Sequence, residues 1–184
     1  MGTIMDDIQL IERVGEGDQN AFADLVSRHT RRFYAAAFRV VMNKDDAEDV
    51  VQSAFLKLWD GRAKWKSGKG ARFTTWFYRI VYNEALDHIS RRRLNKQQQL
   101  PEYLQSDDPN ADDMLWAAEQ GDAVMDALTE LPERQRTAMV LFYCEDLSQK
   151  EVADIMNITP KAVESLTGRA KTTLKERMGA YAFR

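Results

Sequence analysis

Between Lys64 and Arg93 the chain interleaves cations with aromatic side chains. A short basic loop carries Lys64, Trp65, Lys66, Gly68, Lys69, Gly70 and Arg72. The stretch after it bears Thr75, Trp76, Arg79, Tyr82 and Asn83 and closes on Arg91, Arg92 and Arg93. Lysine and arginine neutralise phosphates while aromatic faces accept unstacked bases, so these residue types together suit a surface that holds single-stranded or opened DNA. A second set lies far downstream. Lys161, Glu164, Ser165, Gly168, Arg169, Lys171 and Thr172 fall outside the apolar stripe of a helix, on a face that suits a major groove, and Arg169 is the best guanine reader among them. A third set, Glu48, Asp49 and Gln52, shares one helical face. That face is either a solvated acidic surface or a docking surface for a basic partner.

Catalytic readings find less support. Ser67-Gly68-Lys69-Gly70 resembles a phosphate loop, but the Walker pattern needs glycine where Ala63 stands and Ser or Thr where Gly70 stands, and no strand precedes it. His29 and His88 are the only histidines and Cys144 the only cysteine, which rules out an internal disulfide and a Cys/His zinc cluster, and the two distant histidines offer no triad. Paired carboxylates such as Asp45/Asp46 and Asp107/Asp108 are adjacent charges in expected caps or linker, not an acid and a base across a cleft. The expectation is a protein without catalytic group, cofactor or metal.

The elements that must position these sets read as helices. The first is expected to begin at the N-cap Asp18 and to carry Phe22, Leu25, Val26, Phe33, Ala37, Phe38 and Val41 as a core helix. The next is expected to open at Asp45 with Glu48 as a capping box, turning Ala47, Val51, Ala54, Phe55 and Leu58 inward. From Phe73 the pattern places Phe73, Phe77, Ile80, Val81 and Ala85 on one side and Thr75, Arg79, Tyr82 and Leu86 on the other, with Arg79 and Tyr82 expected exposed. Asn95 to Asp113 sustains no apolar period and reads as a flexible acidic linker. Beyond it Val124, Leu128 and Leu131 fit one helix, and Pro132 starts another with Arg136, Met139, Val140 and Phe142. Ser148 and Glu151 then form a capping box, Asn157 supplies a left-handed turn, and Thr159-Pro160 opens the last helix, with Val163, Leu166, Ala170 and Leu174 buried. That sequence of signals predicts a helix-turn-helix.

With 26 Lys and Arg against 29 Asp and Glu, the 184 residues carry a formal charge of −3. A free-standing DNA binder is usually basic overall. Here the cations gather at Lys57 to Arg72, Arg91 to Lys96 and Lys161 to Arg177, and the anions at Asp45 to Asp49 and Glu102 to Asp113. Weak DNA binding by the chain alone, and an acidic surface suited to a basic protein, are the expectations. The start, Met1 to Asp7, lacks the pattern of a signal peptide, and apolar runs such as Phe33 to Phe38 are too short to cross a bilayer. A cytoplasmic location without membrane insertion is expected.

Three motifs occur in a telling order. Asp46-Ala47-Glu48-Asp49-Val50-Val51-Gln52 with Phe55 and Trp59 comes first, followed by Phe73-Thr74-Thr75-Trp76 with Arg79, Ile80, Asn83, Asp87 and Arg91. Leu131-Pro132, Arg136, Leu147-Ser148, Glu151-Val152-Ala153, Val163, Ser165 and Arg169-Ala170 complete the set. In this order they resemble the polymerase-docking helix, the minus-ten helix and the minus-thirty-five domain of bacterial sigma factors of the extracytoplasmic-function (ECF) group, in the sigma-70 family. The resemblance implies an all-α fold of two small helical domains: 1–95 like sigma domain 2, 116–184 like sigma domain 4, and 96–115 a flexible acidic linker. It implies that the chain binds core RNA polymerase at the clamp coiled coil of the largest subunit and at the flap, binds promoter DNA, and is held by an anti-sigma factor. By the same resemblance Glu48, Asp49, Gln52 and Phe55 contact the clamp, and Lys64 to Arg72 receives a flipped base. Arg91 to Arg93 steadies upstream DNA, and Ser165 and Arg169 face the upstream element. Glu164, Leu166, Gly168 and Asn157 depart from residues frequent in the family, so the upstream base preference does not follow from the resemblance. The competing reading is an autonomous helix-turn-helix regulator that dimerises through its first half; it predicts tight operator binding without polymerase.

Overall fold

The computed structural model describes residues 5–65, 72–98 and 122–178, with backbone alone for 96–98, 122–124 and 177–178. Among them every regular element is helical. Helix α1 (Asp7–Gly15) precedes the first helix expected from the sequence. Asp6 caps it in a full capping box with Gln9, and Leu10, Ile11 and Val14 are buried. Nine residues with three apolar contacts are too short to stand out by periodicity, which is why the sequence reading passed over them. Gly17, at φ 87°, turns the chain into α2 (Gln19–Val41). Asp18 caps α2 as expected, accepting from the amides of Asn20 and Ala21, and also pairs with Arg13 at 2.5 Å.

Helix α3 (Lys44–Trp59) begins two residues earlier than expected. Asn43, not Asp45, is its N-cap and accepts from the Asp46 amide, which places Asp45 and Asp46 in the first turn, where their charges complement the helix dipole. Helix α4 (Phe73–Gln98) runs past Asn95 into the stretch expected to be linker. The first unit's core is aromatic: the rings of Phe33 and Phe55 lie 4.6 and 4.8 Å from Phe77, centre to centre, and Tyr78 meets Phe33 edge-on at 4.9 Å.

The second unit comprises α5 (Asp122–Thr129), α6 (Glu133–Met139), a π turn (Val140–Cys144), α7 (Gln149–Met156) and α8 (Pro160–Met178). Leu128, Leu131, Ala138, Val140, Val152, Met156, Val163 and Leu174 fill its core. The expected helix through Phe142 thus loosens into a π turn, closed by the Glu145 amide donating to the Val140 carbonyl at 3.1 Å. Ser148 and Glu151 cap α7 reciprocally, and Asn157 ends it in the left-handed region at φ 53°. The Thr159 hydroxyl accepts from the Ala162 amide at the start of α8. The helix-turn-helix is therefore built as its sequence predicts. The two units touch. Helix α7 lies on α4, and α6 with the π turn lies on α2. Residues 99–121, which take in most of the expected acidic linker, lie outside the described residues.

Candidate partner and nucleic-acid interfaces

Helix α2 carries two stripes at four-residue spacing. Ala21, Leu25, His29 and Phe33 are buried in the core. Phe22, Val26, Thr30 and Tyr34, one position on, line one wall of a groove of about 480 Å³ whose other wall is Glu48, Asp49, Gln52 and Leu56 of α3. Glu48, Asp49 and Gln52 are exposed, as is Leu56 at 50%. Phe55, expected to contact a partner, is instead 4% exposed: it forms the floor with Val51, edge-on to Phe22 at 6.3 Å. An apolar floor under an acidic rim accepts a helix that offers apolar and basic side chains together. The sequence reading found the rim and missed the α2 wall, because Phe22 and Val26 were assigned to a single core stripe.

The basic-aromatic set divides by exposure. Lys64, Arg72, Arg79, Asn83, Arg91 and Arg93 are exposed, whereas Trp65, Trp76 and Arg92 are half-buried. Lys66 and Lys69 lie outside the described residues. Trp65 and Trp76 both lean on Phe73, with ring centres at 6.5 and 5.9 Å. Thr75 and Tyr82 overturn the expectation of an outward face, being 6% and 7% exposed. The second unit covers them. The Thr75 hydroxyl donates to Glu151 Oε1 of α7 at 2.9 Å, and Tyr82 sits near Glu133 and Arg134 of α6, where burial above all raises its phenol pKa. A cleft remains between α4 and α7, lined by Trp76, Arg79, Lys150, Glu151, Asp154 and Asn157.

One residue the sequence reading did not single out joins the first two sites. Glu84 of α4 is 4% exposed and accepts from Ser53 Oγ at 2.7 Å and from Lys57 Nζ, both on α3. It fixes α3 against α4. At the C-terminal end of α4, Arg92 pairs with Asp46 at 3.1 Å and Arg93 with Glu133 at 2.9 Å.

On α8, Lys161, Glu164, Ser165, Gly168, Arg169 and Lys171 are all exposed. The Arg169 guanidinium donates to the Ser165 hydroxyl at 2.9 Å, so it lies along the helix. Lys171 sits over the Tyr143 ring at 4.8 Å. A side chain at Gly168 would meet nothing within 4 Å, so the glycine leaves an open notch in this face. Among the described residues no cluster of three or more His, Cys, Asp or Glu side chains can hold a metal ion, and no helix is long and apolar enough to cross a membrane.

These sites coincide with known families. The Sigma-70 region 2 model matches residues 25–94 and the Sigma-70, region 4 model residues 121–174. The chain is 32% identical over 189 residues to the ECF RNA polymerase sigma-E factor of Haemophilus influenzae, covering 97% of this chain and 98% of that one. It is 28% identical over 178 residues to the ECF RNA polymerase sigma factor SigW of Bacillus subtilis, covering 91% and 94%. The solved structure of CnrH in complex with the cytosolic domain of CnrY superposes with a TM-score of 0.66 at 28% identity over 96% of this chain and 99% of that one. The sigma factor RpoE, in complex with the anti-sigma factor NepR from Bartonella quintana, shares the fold with a TM-score of 0.69 at 21% identity, over 87% and 98%. With both regions matched and near full-length relatives above 30% identity, this chain belongs to the ECF group of RNA polymerase sigma factors in the sigma-70 family.

Proposed function

We propose that this sigma factor divides its work among three surfaces, and the observation that carries the reading is the acidic-rimmed apolar groove between α2 and α3. Its occupant is the clamp coiled coil of the polymerase largest subunit, held by Glu48, Asp49 and Gln52 over the floor made by Phe55. Lys64, Trp65, Lys66, Lys69 and Arg72 receive a base flipped from the non-template strand. Trp76, Arg79 and Asn83 contact the minus-ten element, and Arg91, Arg92 and Arg93 the upstream phosphates. Thr75 and Tyr82 join them once the second unit moves away. Lys161, Glu164, Ser165, Gly168, Arg169 and Lys171 face the minus-thirty-five element, while the second domain also meets the flap. The proposed division is 1–95, 96–115 and 116–184. The chain works in the cytoplasm and catalyses nothing itself. Capture of one base returns about 1 to 3 kcal/mol, which biases promoter opening that the polymerase completes.

An anti-sigma partner, like the NepR to which RpoE is bound, would cover the acidic groove and the basic face of α8. A complex that left Asp49, Gln52 and Arg169 all accessible would contradict this. The division of labour is tested with two variants. Asp49→Lys weakens capture by core polymerase, whereas Arg169→Ala leaves capture intact and lowers promoter affinity by about 1 to 3 kcal/mol. Equal loss of capture in both would refute the assignment.

A further inference from the structure

One carboxylate of the second unit is neutralised by the first. Glu145, just after the π turn, is 6% exposed. Its Oε2 accepts from the Tyr78 hydroxyl and from Arg32 Nε at 3.2 Å, and its Oε1 from Arg39 Nη1 at 3.4 Å. Arg32 Nε also lies 2.7 Å from the Tyr78 hydroxyl, and Arg32 Nη2 donates to the Glu145 carbonyl at 3.4 Å. The π turn and the left-handed Asp146, at φ 52°, shape the segment that carries this side chain. Tyr78 belongs to α4 and Arg32 and Arg39 to α2, so these contacts of the side chain all cross the seam between units.

A charge withdrawn from water is tolerated only where it is paired and hydrogen-bonded. For Glu145 that condition holds while the units are closed. Other contacts cross the same seam: Thr75 and Arg72 to Glu151, Arg93 to Glu133, and Arg136 Nε to the Val40 carbonyl at 3.0 Å. The closed arrangement has unequal consequences for the three surfaces. It covers Thr75 and Tyr82 on α4, yet leaves Glu48, Asp49, Gln52 and Leu56 of the groove exposed.

From this geometry we infer that Glu145 is an intramolecular latch: it locks the second domain across the minus-ten face of α4 in the free chain, while the polymerase-docking groove stays open. Capture by polymerase therefore does not require opening, and engagement of minus-ten DNA does. The functional half of this inference rests on the DNA role proposed for α4; the latch itself does not.

The test uses the full chain with Glu145→Ala, Tyr78→Phe and both together. Tyr78→Phe keeps the ring in the Phe33 and Phe77 cluster and removes only the hydroxyl. Small-angle scattering reads the radius of gyration, amide exchange reads 73–82 and 148–156, and circular dichroism confirms helicity. A fluorescent single-stranded 12-mer pool of random sequence reports access to α4. The latch predicts a radius larger by a few ångströms, several-fold faster exchange in both segments, and several-fold tighter oligonucleotide binding in Glu145→Ala. Tyr78→Phe moves the same way but less, and the double variant little beyond Glu145→Ala, because the two groups act as one contact. Unchanged radius and exchange in both single variants would overturn the latch. If Glu145→Ala lost its helical signal, Tyr78→Phe would decide alone by the same readouts. Opening without tighter oligonucleotide binding would sustain the latch and count against the DNA role of α4.

Discussion

Glu84 keeps its charge at 4% exposure because Ser53 and Lys57 both donate to it. Burial alone would push its carboxyl up; the hydrogen bonds and the charge of Lys57 outweigh that and hold it below the usual glutamate range. A depressed folded-state pKa contributes stability above the unfolded value, about 4.3, and loses it as pH falls through the folded value. Urea unfolding should therefore show Glu84→Gln less stable than the parent at neutral pH, with a shallower loss between roughly pH 5 and 3. Asp7, also depressed through His29 and Arg28 against the opposing effect of burial, keeps some slope in the variant. Parallel acid limbs would show that Glu84 is not a linked group. At Gly168 the open notch predicts that Gly168→Ala raises helix stability by up to about 1 kcal/mol. If DNA backbone fills the notch, the same change weakens upstream-element binding; unchanged binding would remove Gly168 from the interface. The exposure of Asp49 and Arg169 was legible in the sequence because each stands outside a regular apolar stripe. Thr75, Tyr82, Glu84 and Glu145 were not, since what covers or pairs with each comes from elements remote in sequence.

The α7–turn–α8 element is the most completely specified by local sequence. Ser148 and Glu151 satisfy each other's backbone amides, and Asn157 adopts a left-handed conformation that β-branched residues resist. Replacing Asn157 with Val should cost about 1 to 2 kcal/mol in urea unfolding, while Asn157→Gly stays close to neutral. Ser148→Ala should cost about 1 kcal/mol through the lost cap. A Val variant as stable as the parent would mean that the turn is not held left-handed in solution. Helix α4 shows where the same reading falls short. Its apolar period defined one buried face, but the helix is covered on two sides, by α2 and α3 and by α7. Polar Thr75 and Glu84 are buried there beside Tyr78 and Tyr82, and a hydrophobic pattern does not register polar groups that are buried with partners. Short α1 and the π turn escaped for a simpler reason: neither is long enough to repeat a period.

At the scale of the whole molecule, charge separation is what lets an acidic chain recognise DNA. Its net charge of −3 weakens unguided attraction to phosphate, while the exposed cations of α4 and α8 keep local attraction. Specificity then depends on joining the polymerase, which holds both domains near the promoter and raises their effective concentration there. The all-α class and the two domains were readable from motifs; the closed packing of one domain on the other was not, because no local period encodes a contact between Tyr78 and Glu145. The decisive measurement is run-off transcription from a bacterial genomic promoter library, with core polymerase and this chain separately and together, beside DNA binding by the chain alone. Initiation at a discrete promoter set only when both are present, with weak binding by the chain alone, is the predicted result. Tight, specific binding without polymerase and no new transcripts would contradict it.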